Sequence, residues 1–399
     1  MKKTFRFVIF GLLYFIQGAI LSYFTGFNGI YLLSFGVDMK GVGLIGLIGM
    51  LPFVLKIFLG ILSDRVNLFG LGYRKPYILI GVAVQVISLV IVPLIDPGKN
   101  FGAYALLGFL MMTGMALYDT ATDGLALDTT PEDEQGTIQG LMVGGRALGV
   151  AIISVFFGFF ASYFSWHYAF WSLAVISAIA FVLALFIKEG RVKEHPAFEW
   201  KAFKTLGRKE ILSLAILGAL YSLIINSVGE IMNPFFETRF EITPLIAGLY
   251  SAVWGVGIII GGIIGGRETD KLGHRKSVMI AMVISLVSIG LFILAPNQYL
   301  AFLIALGFGF AYGFYETVYF ATSMARTDPR IAASMFSILM AIANIGTGIG
   351  LAVTGLMVDG VGYILTFVIL AALNLLALPL IPLVFNKPAS KQVKAEDVE

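Results

Sequence analysis

Six ionisable side chains stand inside otherwise apolar stretches of this 399-residue chain: Lys56, Asp119, Asp123, Arg146, Glu230 and Glu316. Charges at such positions are costly, and face a bundle interior or a watery cavity where they pair, bind solutes or relay protons. Asp119 and Asp123 are four residues apart and share one helix face. At about 1.5 Å per residue, Asp119 lies about 13 Å from the end of its stretch and Arg146 about 13 Å into the next, with Asp123 and Lys56 about 7 and 10 Å deep. The expectation is one layer holding two acids and two bases. Such a layer either neutralises itself as a structural network or is opened by a substrate or a proton. Glu230, about 9 Å from one end of its stretch, is a second titrating candidate or a residue reaching the interface.

Other chemistries find no residues. The chain has no cysteine, which removes disulfides, thiolate metal sites and cysteine nucleophiles. His167, His195 and His274 have no metal-ligand spacing, and no Gly-xxxx-Gly-Lys-Ser/Thr phosphate loop occurs. Gly-x-Gly runs within apolar helices are packing features. We therefore expect no enzyme, no metal, no cofactor and no nucleic-acid partner.

The elements that must position these charges are membrane helices. Hydrophobic residues make up 58% and charged residues 13% of the chain, with a mean hydropathy of +0.92. A soluble surface cannot be built from so few charges. Twelve stretches are long enough to span: roughly 7–30, 41–63, 76–95, 101–128, 137–163, 167–187, 211–236, 244–266, 277–295, 298–325, 331–357 and 361–385. The first is read as a retained helix, not a cleaved leader. Of 27 Lys and Arg residues, 22 fall in connections on the side of the two termini and three on the other. This asymmetry predicts cytoplasmic termini and a multi-pass protein of the cell (inner) membrane. Seven cations between Lys188 and Lys209 mark a polar linker, so the expected division is 1–188, linker 189–210, and 211–399. Asp128 with Glu132, Asp133 and Glu134 is expected to cap the fifth span.

The halves repeat one another. Gly60-xxx-Asp64-Arg65, followed by Gly72-Tyr73-Arg74-Lys75, matches Gly266-xxx-Asp270-Lys271, followed by Gly273-His274-Arg275-Lys276; the acids are 206 positions apart. Asn28-Gly29-Ile30-Tyr31 matches Asn233-Pro234-Phe235-Phe236 at 205, and Tyr118-Asp119-Thr120 matches Tyr315-Glu316-Thr317 at 197. Two six-helix repeats are the plan of a secondary transporter, with the substrate between them. In this alignment Ala343 and Gly262 stand where Arg146 and Lys56 stand in the first half. Glu316 therefore has no evident cation and is either a proton carrier or a protonated structural glutamate.

The Gly-xxx-Asp-Arg/Lys loops resemble the signature of the major facilitator superfamily, across the whole chain. The second copy is compact, whereas seven residues, 66–72, separate Arg65 from Tyr73 in the first. Leu51-Pro52-Phe53-Val54-Leu55-Lys56, Gly72-Tyr73-Arg74-Lys75-Pro76, and Asp119-xxx-Asp123-Gly124 followed by Gly144-Gly145-Arg146-xx-Gly149 are similar to the branch of muropeptide permeases, acetyl-coenzyme A transporters and folate-biopterin transporters. The Arg74-Lys75-Pro76-Tyr77-Ile78 run is also similar to sugar-cation symporters.

That resemblance implies an all-α integral membrane fold of twelve transmembrane helices, working as a monomeric carrier without cofactor. It implies proton- or sodium-coupled movement of a polar, often anionic organic solute by alternating access. Proton coupling would fall to Glu316, Asp119, Asp123 and Glu230. Lys56, Arg146, Gln17, Tyr118, Asn226, Asn233, Tyr315 and Tyr319 would bind substrate, on the helices that line the cavity in this superfamily or beside them; Tyr14, Asn28 and Tyr221 share that setting. Asp64, Arg65, Asp270, Lys271 and Arg275 would act as gating loops. Two alternatives stay open: a proton-antiport exporter of lipophilic cations, and a non-transporting assembly or receptor protein on the same fold.

Overall fold

The computed structural model describes residues 3–130, 135–189, 207–326 and 332–385. The elements there are helical: α1 (Lys3–Ser22), a π-helical turn (Tyr23–Phe27), α2 (Asn28–Ser34), α3 (Met39–Val54), α4 (Lys56–Arg65), α5 (Lys75–Ile91), α6 (Phe101–Thr129), α7 (Gln135–Tyr163), α8 (Trp166–Ala184), α9 (Lys209–Phe240), α10 (Pro244–Leu272), α11 (His274–Ile293), α12 (Gln298–Arg326), α13 (Ala332–Leu373) and α14 (Leu380–Phe385), with short 3-10 turns between some of them. Most of the linker, residues 131–134, Pro329 and the C-terminal cations lie outside the described residues, as do the side chains of Asp64 and Arg65.

Among the described residues, ten helices are long and apolar enough to cross a membrane. The expected second span is a broken pair, α3 and α4, each short on its own. Pro52 removes one rung of the helical ladder, and Leu55, at φ −82° and ψ 0°, separates the two helices. The last two expected spans form one bent run within Met335–Phe385. The bend is at Gly362, whose φ of 80° is a left-handed value that a side chain would strain. Gly273, also at φ 80°, makes the sharp turn of the second signature loop between α10 and α11.

Helices α1–α8 pack among themselves, as do α9–α14, and the two groups meet along a seam. The seam is closed at the end remote from the termini. There α3 lies on α13, with Gly43 against the backbone of Leu351 and Gly355 against that of Met39. On the other flank α7 lies on α10, where Gly248 meets Ser154 and Gly158 meets Pro244. Small residues of this kind let helix backbones approach closely. Hydrogen bonds cross here too: Asn233 Nδ2 donates to Gly26 O (2.6 Å), Leu245 N to Ser162 Oγ (2.9 Å), and Lys40 N to Asp359 Oδ2 (2.6 Å). Toward the termini the seam parts: α4 barely touches α13.

Candidate functional site

The Pro52 break sets the start of α4 and with it Lys56. Lys56 Nζ forms an ion pair with Asp119 Oδ2 and lies 3.5 Å from Asp123 Oδ2. α1 completes the cluster: Gln17 Nε2 donates to Asp119 Oδ1 (2.9 Å), and the Tyr14 hydroxyl donates to Asp123 Oδ1. Asp119 is buried, at 4% side-chain exposure, while Asp123 keeps 41% and Lys56 32%. The three charges thus sit at the edge of an open space, with Asp119 on the dry side. Paired and hydrogen-bonded, they avoid the cost of isolated buried ions.

Arg146 is not part of that cluster, contrary to the matching-depth expectation. α6 and α7 are consecutive but hardly touch; α7 packs instead on α1 and α10, with Gly18 of α1 against the Arg146 carbonyl. Depth along the helix agrees with the sequence arithmetic, but azimuth turns the side chain toward the second half. Among the described residues its guanidinium has no hydrogen bond or ion pair, and the strongest charge acting on it is that of Glu316, ahead of Asp119. Glu316 is answered in turn by Arg146. As its own repeat half led one to expect, Glu316 has no ion-pair partner among the described residues; the one opposite charge that acts on it is that of Arg146, across the seam.

Aromatic and amide groups surround Glu316. Tyr312, one turn earlier on α12, donates to Asn226 Oδ1 (3.0 Å) and meets the Trp254 ring edge-on at 5.4 Å. Asn226 Nδ2 in turn donates to Ser222 O (2.8 Å) and to Thr347 Oγ1 (3.1 Å). Tyr221 stacks obliquely on Tyr315 and Tyr319, with ring centroids 4.9 and 5.0 Å apart. Among the described residues, the Trp254 Nε1 and the Tyr315 hydroxyl are buried without a hydrogen-bond partner. Sequence reasoning passed over Tyr312 and Trp254. The i, i+4 spacing of Tyr312 and Glu316 was a usable signal for the first; nothing local marked the second.

Other expected site residues have structural posts. Tyr118 is buried against Gly81 of α5, away from the seam. Asn233 is fully buried in the closed seam, bonded to Gly26 O and to Ser251 Oγ (2.8 Å). Asn28 accepts from the Tyr104 hydroxyl (2.8 Å) inside the first half. Asp128 does not cap α7: it accepts from Arg74 Nε (3.0 Å), and Arg74 also donates to Ser63 Oγ (2.9 Å). Arg74, expected as a loop cation, is buried. The gating residues Asp270, Lys271 and Arg275 are exposed, with Lys271 only 3.6 Å from Glu268. Glu230 is buried in the seam and has no partner for Oε2. No cluster of three or more His, Asp or Glu suited to a metal occurs among the described residues.

The arrangement thus comprises one satisfied charge cluster, one cation and one acid facing across a seam, and an aromatic wall with spare donors. Comparison with known proteins agrees with a carrier. The chain is 23% identical over 360 residues to a protein of Rickettsia conorii named as a transporter, AmpG 1, covering 82% of this chain and 85% of that one. It is 23% identical over 303 residues to a protein of Arabidopsis thaliana named as folate-biopterin transporter 7, covering 70% and 68%. In fold it is similar to the crystal structure of a bacterial homolog of the human lysosomal transporter Spinster, in an inward-facing, unoccupied conformation: TM-score 0.75, 17% identity, covering 96% of this chain and 98% of that one. The family model of the Major Facilitator Superfamily matches residues 10–267 and again 214–399, and with that double match this multi-pass membrane chain belongs to that superfamily of transporters.

Proposed function

We propose that this protein is a proton-coupled secondary transporter that moves a polar, anionic organic solute by alternating access. The observation that carries the reading is Arg146: a guanidinium inside the bundle, without a partner among the described residues, facing Glu316 across a parting seam. Five fixed donors on a cation suit a carboxylate or phosphate. The Lys56/Asp119/Asp123 cluster, already neutralised, serves coupling more than solute binding. Glu316 carries the proton, and Asp119, Asp123 and Glu230 are the further carboxyl groups of the coupling route. Asn226, Tyr315, Tyr319 and Gln17 supply polar and stacking contacts around the solute.

The cation asymmetry of the connections puts both termini in the cytoplasm of the cell (inner) membrane. On that orientation the seam is closed outside and open inside, an inward-facing state. Counting α3 with α4 as one span and the two arms about Gly362 as two gives twelve. Residues 1–188 and 211–399 then form the rocking halves about the linker 189–210, as a monomer. The exposed Asp270 loop becomes engaged when the cytoplasmic side closes.

The test begins with a thermal-shift screen of muropeptides, nucleotide thioesters, pterins and sugars, followed by flux of the stabilising compound in proteoliposomes. Glu316→Gln abolishes uptake driven by a pH gradient and spares solute exchange; unchanged gradient-driven uptake refutes the assignment. The tyrosine wall around Glu316 also suits a lipophilic cation, which is the second reading, that of an exporter. Competition by anionic against cationic analogues separates the two.

A further inference from the structure

Two acids stand in the closed outer seam, and they are held very differently. Asp359, exposed at the outer rim of α13, accepts from Met39 N (3.1 Å) and Lys40 N (2.6 Å) at the start of α3. Such a cap satisfies backbone N–H groups at a helix start. Glu230 lies deeper, where α9, α3 and α13 meet, at 5% exposure. A methyl group placed on Gly46 of α3 would lie 2.6 Å from Glu230 Oε1 and 2.8 Å from the Leu351 side chain, so the carboxyl is wedged between two helices of opposite halves. Its Oε2 has no hydrogen-bond partner. Two hydroxyls nearby share that condition. Ser227 Oγ, one turn back on α9 and facing Gly350 of α13, and Thr354 Oγ1, one turn beyond Gly350, are buried and unpartnered.

Among the described residues, the ionisable groups toward the outer ends of α3, α9 and α13 and in the π-helical turn are Asp38 and Lys40, Glu237 and Arg239, Asp359 and Tyr363, and Tyr23. None of them makes an ion pair or hydrogen bond with its carboxyl. An ionised carboxylate sealed there would have neither counter-ion nor donor, at a cost of several kcal/mol. A carboxylic acid fits, because it removes the charge. One carboxyl and two hydroxyls are too few oxygens for a metal cation, which takes about six.

We infer that Glu230 is a proton-binding site that locks the outer seam: the seam closes on the acid form and opens to release the proton outward. This deepens the proposed function, because it rests on alternating access and assigns the outer proton exchange to a residue apart from the solute site. Closure takes up one proton, so the closed-to-open ratio falls as pH rises, at a limit of about tenfold per pH unit for a single site.

The chain's lack of cysteine permits spin labels at Lys99→Cys and Tyr299→Cys, exposed outer positions of opposite halves. Their distance distribution is measured by pulsed electron resonance in nanodiscs across mildly acidic to mildly alkaline pH, without substrate. The wild type shifts toward the long-distance population as pH rises. Glu230→Gln stays closed at every pH, while Glu230→Asp keeps the pH response. A flat wild-type profile, or an unchanged response in Glu230→Gln, overturns the inference. Should Glu230→Gln not fold, the wild-type profile and that of Glu230→Asp decide. Failure of gradient-driven flux with an intact pH response would sink the proposed coupling and leave this site standing.

Discussion

Asp119 and Glu316 occupy matching places in the two halves, yet one is tied down and the other is not. Asp119 has Lys56 and Gln17 in its own half. Glu316 has a continuous α10 beside it, with Gly262 where the first half has Lys56, and no ion-pair partner among the described residues; the opposite charge that acts on it, Arg146, belongs to the other half. The break after Pro52 goes with the same division: α3 stays in the closed seam while α4, carrying Lys56, leaves it. A duplicated bundle can thus keep its architecture while splitting its chemistry. One half stores a neutralised charge cluster, and the other offers an acid that only movement across the seam can satisfy or strand.

The largest expected effect falls on the satisfied cluster. Lys56→Met leaves Asp119 and Asp123 facing each other without a cation and costs about 3–5 kcal/mol, by the rule for breaking one side of a buried pair. A drop in melting temperature in detergent reads this, and Lys56→Met with Asp119→Asn should recover most of it. No recovery would mean the cluster is not the closed unit described. Arg146→Met should leave melting temperature nearly unchanged while weakening anionic solute binding by about 1.5–3 kcal/mol, or roughly 10–100-fold. A large fall in stability would show that Arg146 is tied into the fold after all.

Smaller effects test the seam. Asn233→Ala removes two hydrogen bonds of 2.6 and 2.8 Å, one of them across the halves. It should favour the outward-open population by about 1–3 kcal/mol, visible in the same label distances. Asp359→Ala removes an exposed cap at the rim and should do so by about 0.5–2 kcal/mol. Lys271→Ala breaks a solvent-exposed 3.6 Å pair and should change stability by less than about 0.5 kcal/mol.

Much of this was legible in the chain. Composition and the signature loops gave the membrane fold and family, because lipid demands long apolar helices whatever their packing. The Lys56, Asp119 and Asp123 association was legible because depth along a helix can be counted. What could not be counted was azimuth. Arg146 shares the depth of Asp119 but points elsewhere, since α7 turns on α1 and α10 through Gly145, Gly149 and Gly248. Asp128 was read as a local cap, yet buried Arg74, distant in sequence, claims it. Tyr118 and Asn233 carried polar groups on expected cavity helices, and packing assigned them to a helix contact and a closed seam. Pairings across a seam depend on tertiary geometry that a repeat within one half does not encode.

The central claim is that the buried charges are reached from one side of the membrane at a time. Single cysteines at Tyr14, on the acid cluster, and at Ser251, sealed in the closed seam, test it with a membrane-impermeant maleimide applied separately to each face of oriented vesicles. In the state described here, Tyr14→Cys should react only from the face that carries the termini, and Ser251→Cys from neither. Reaction of Tyr14→Cys from both faces under one condition, with Ser251→Cys open as well, would contradict the account.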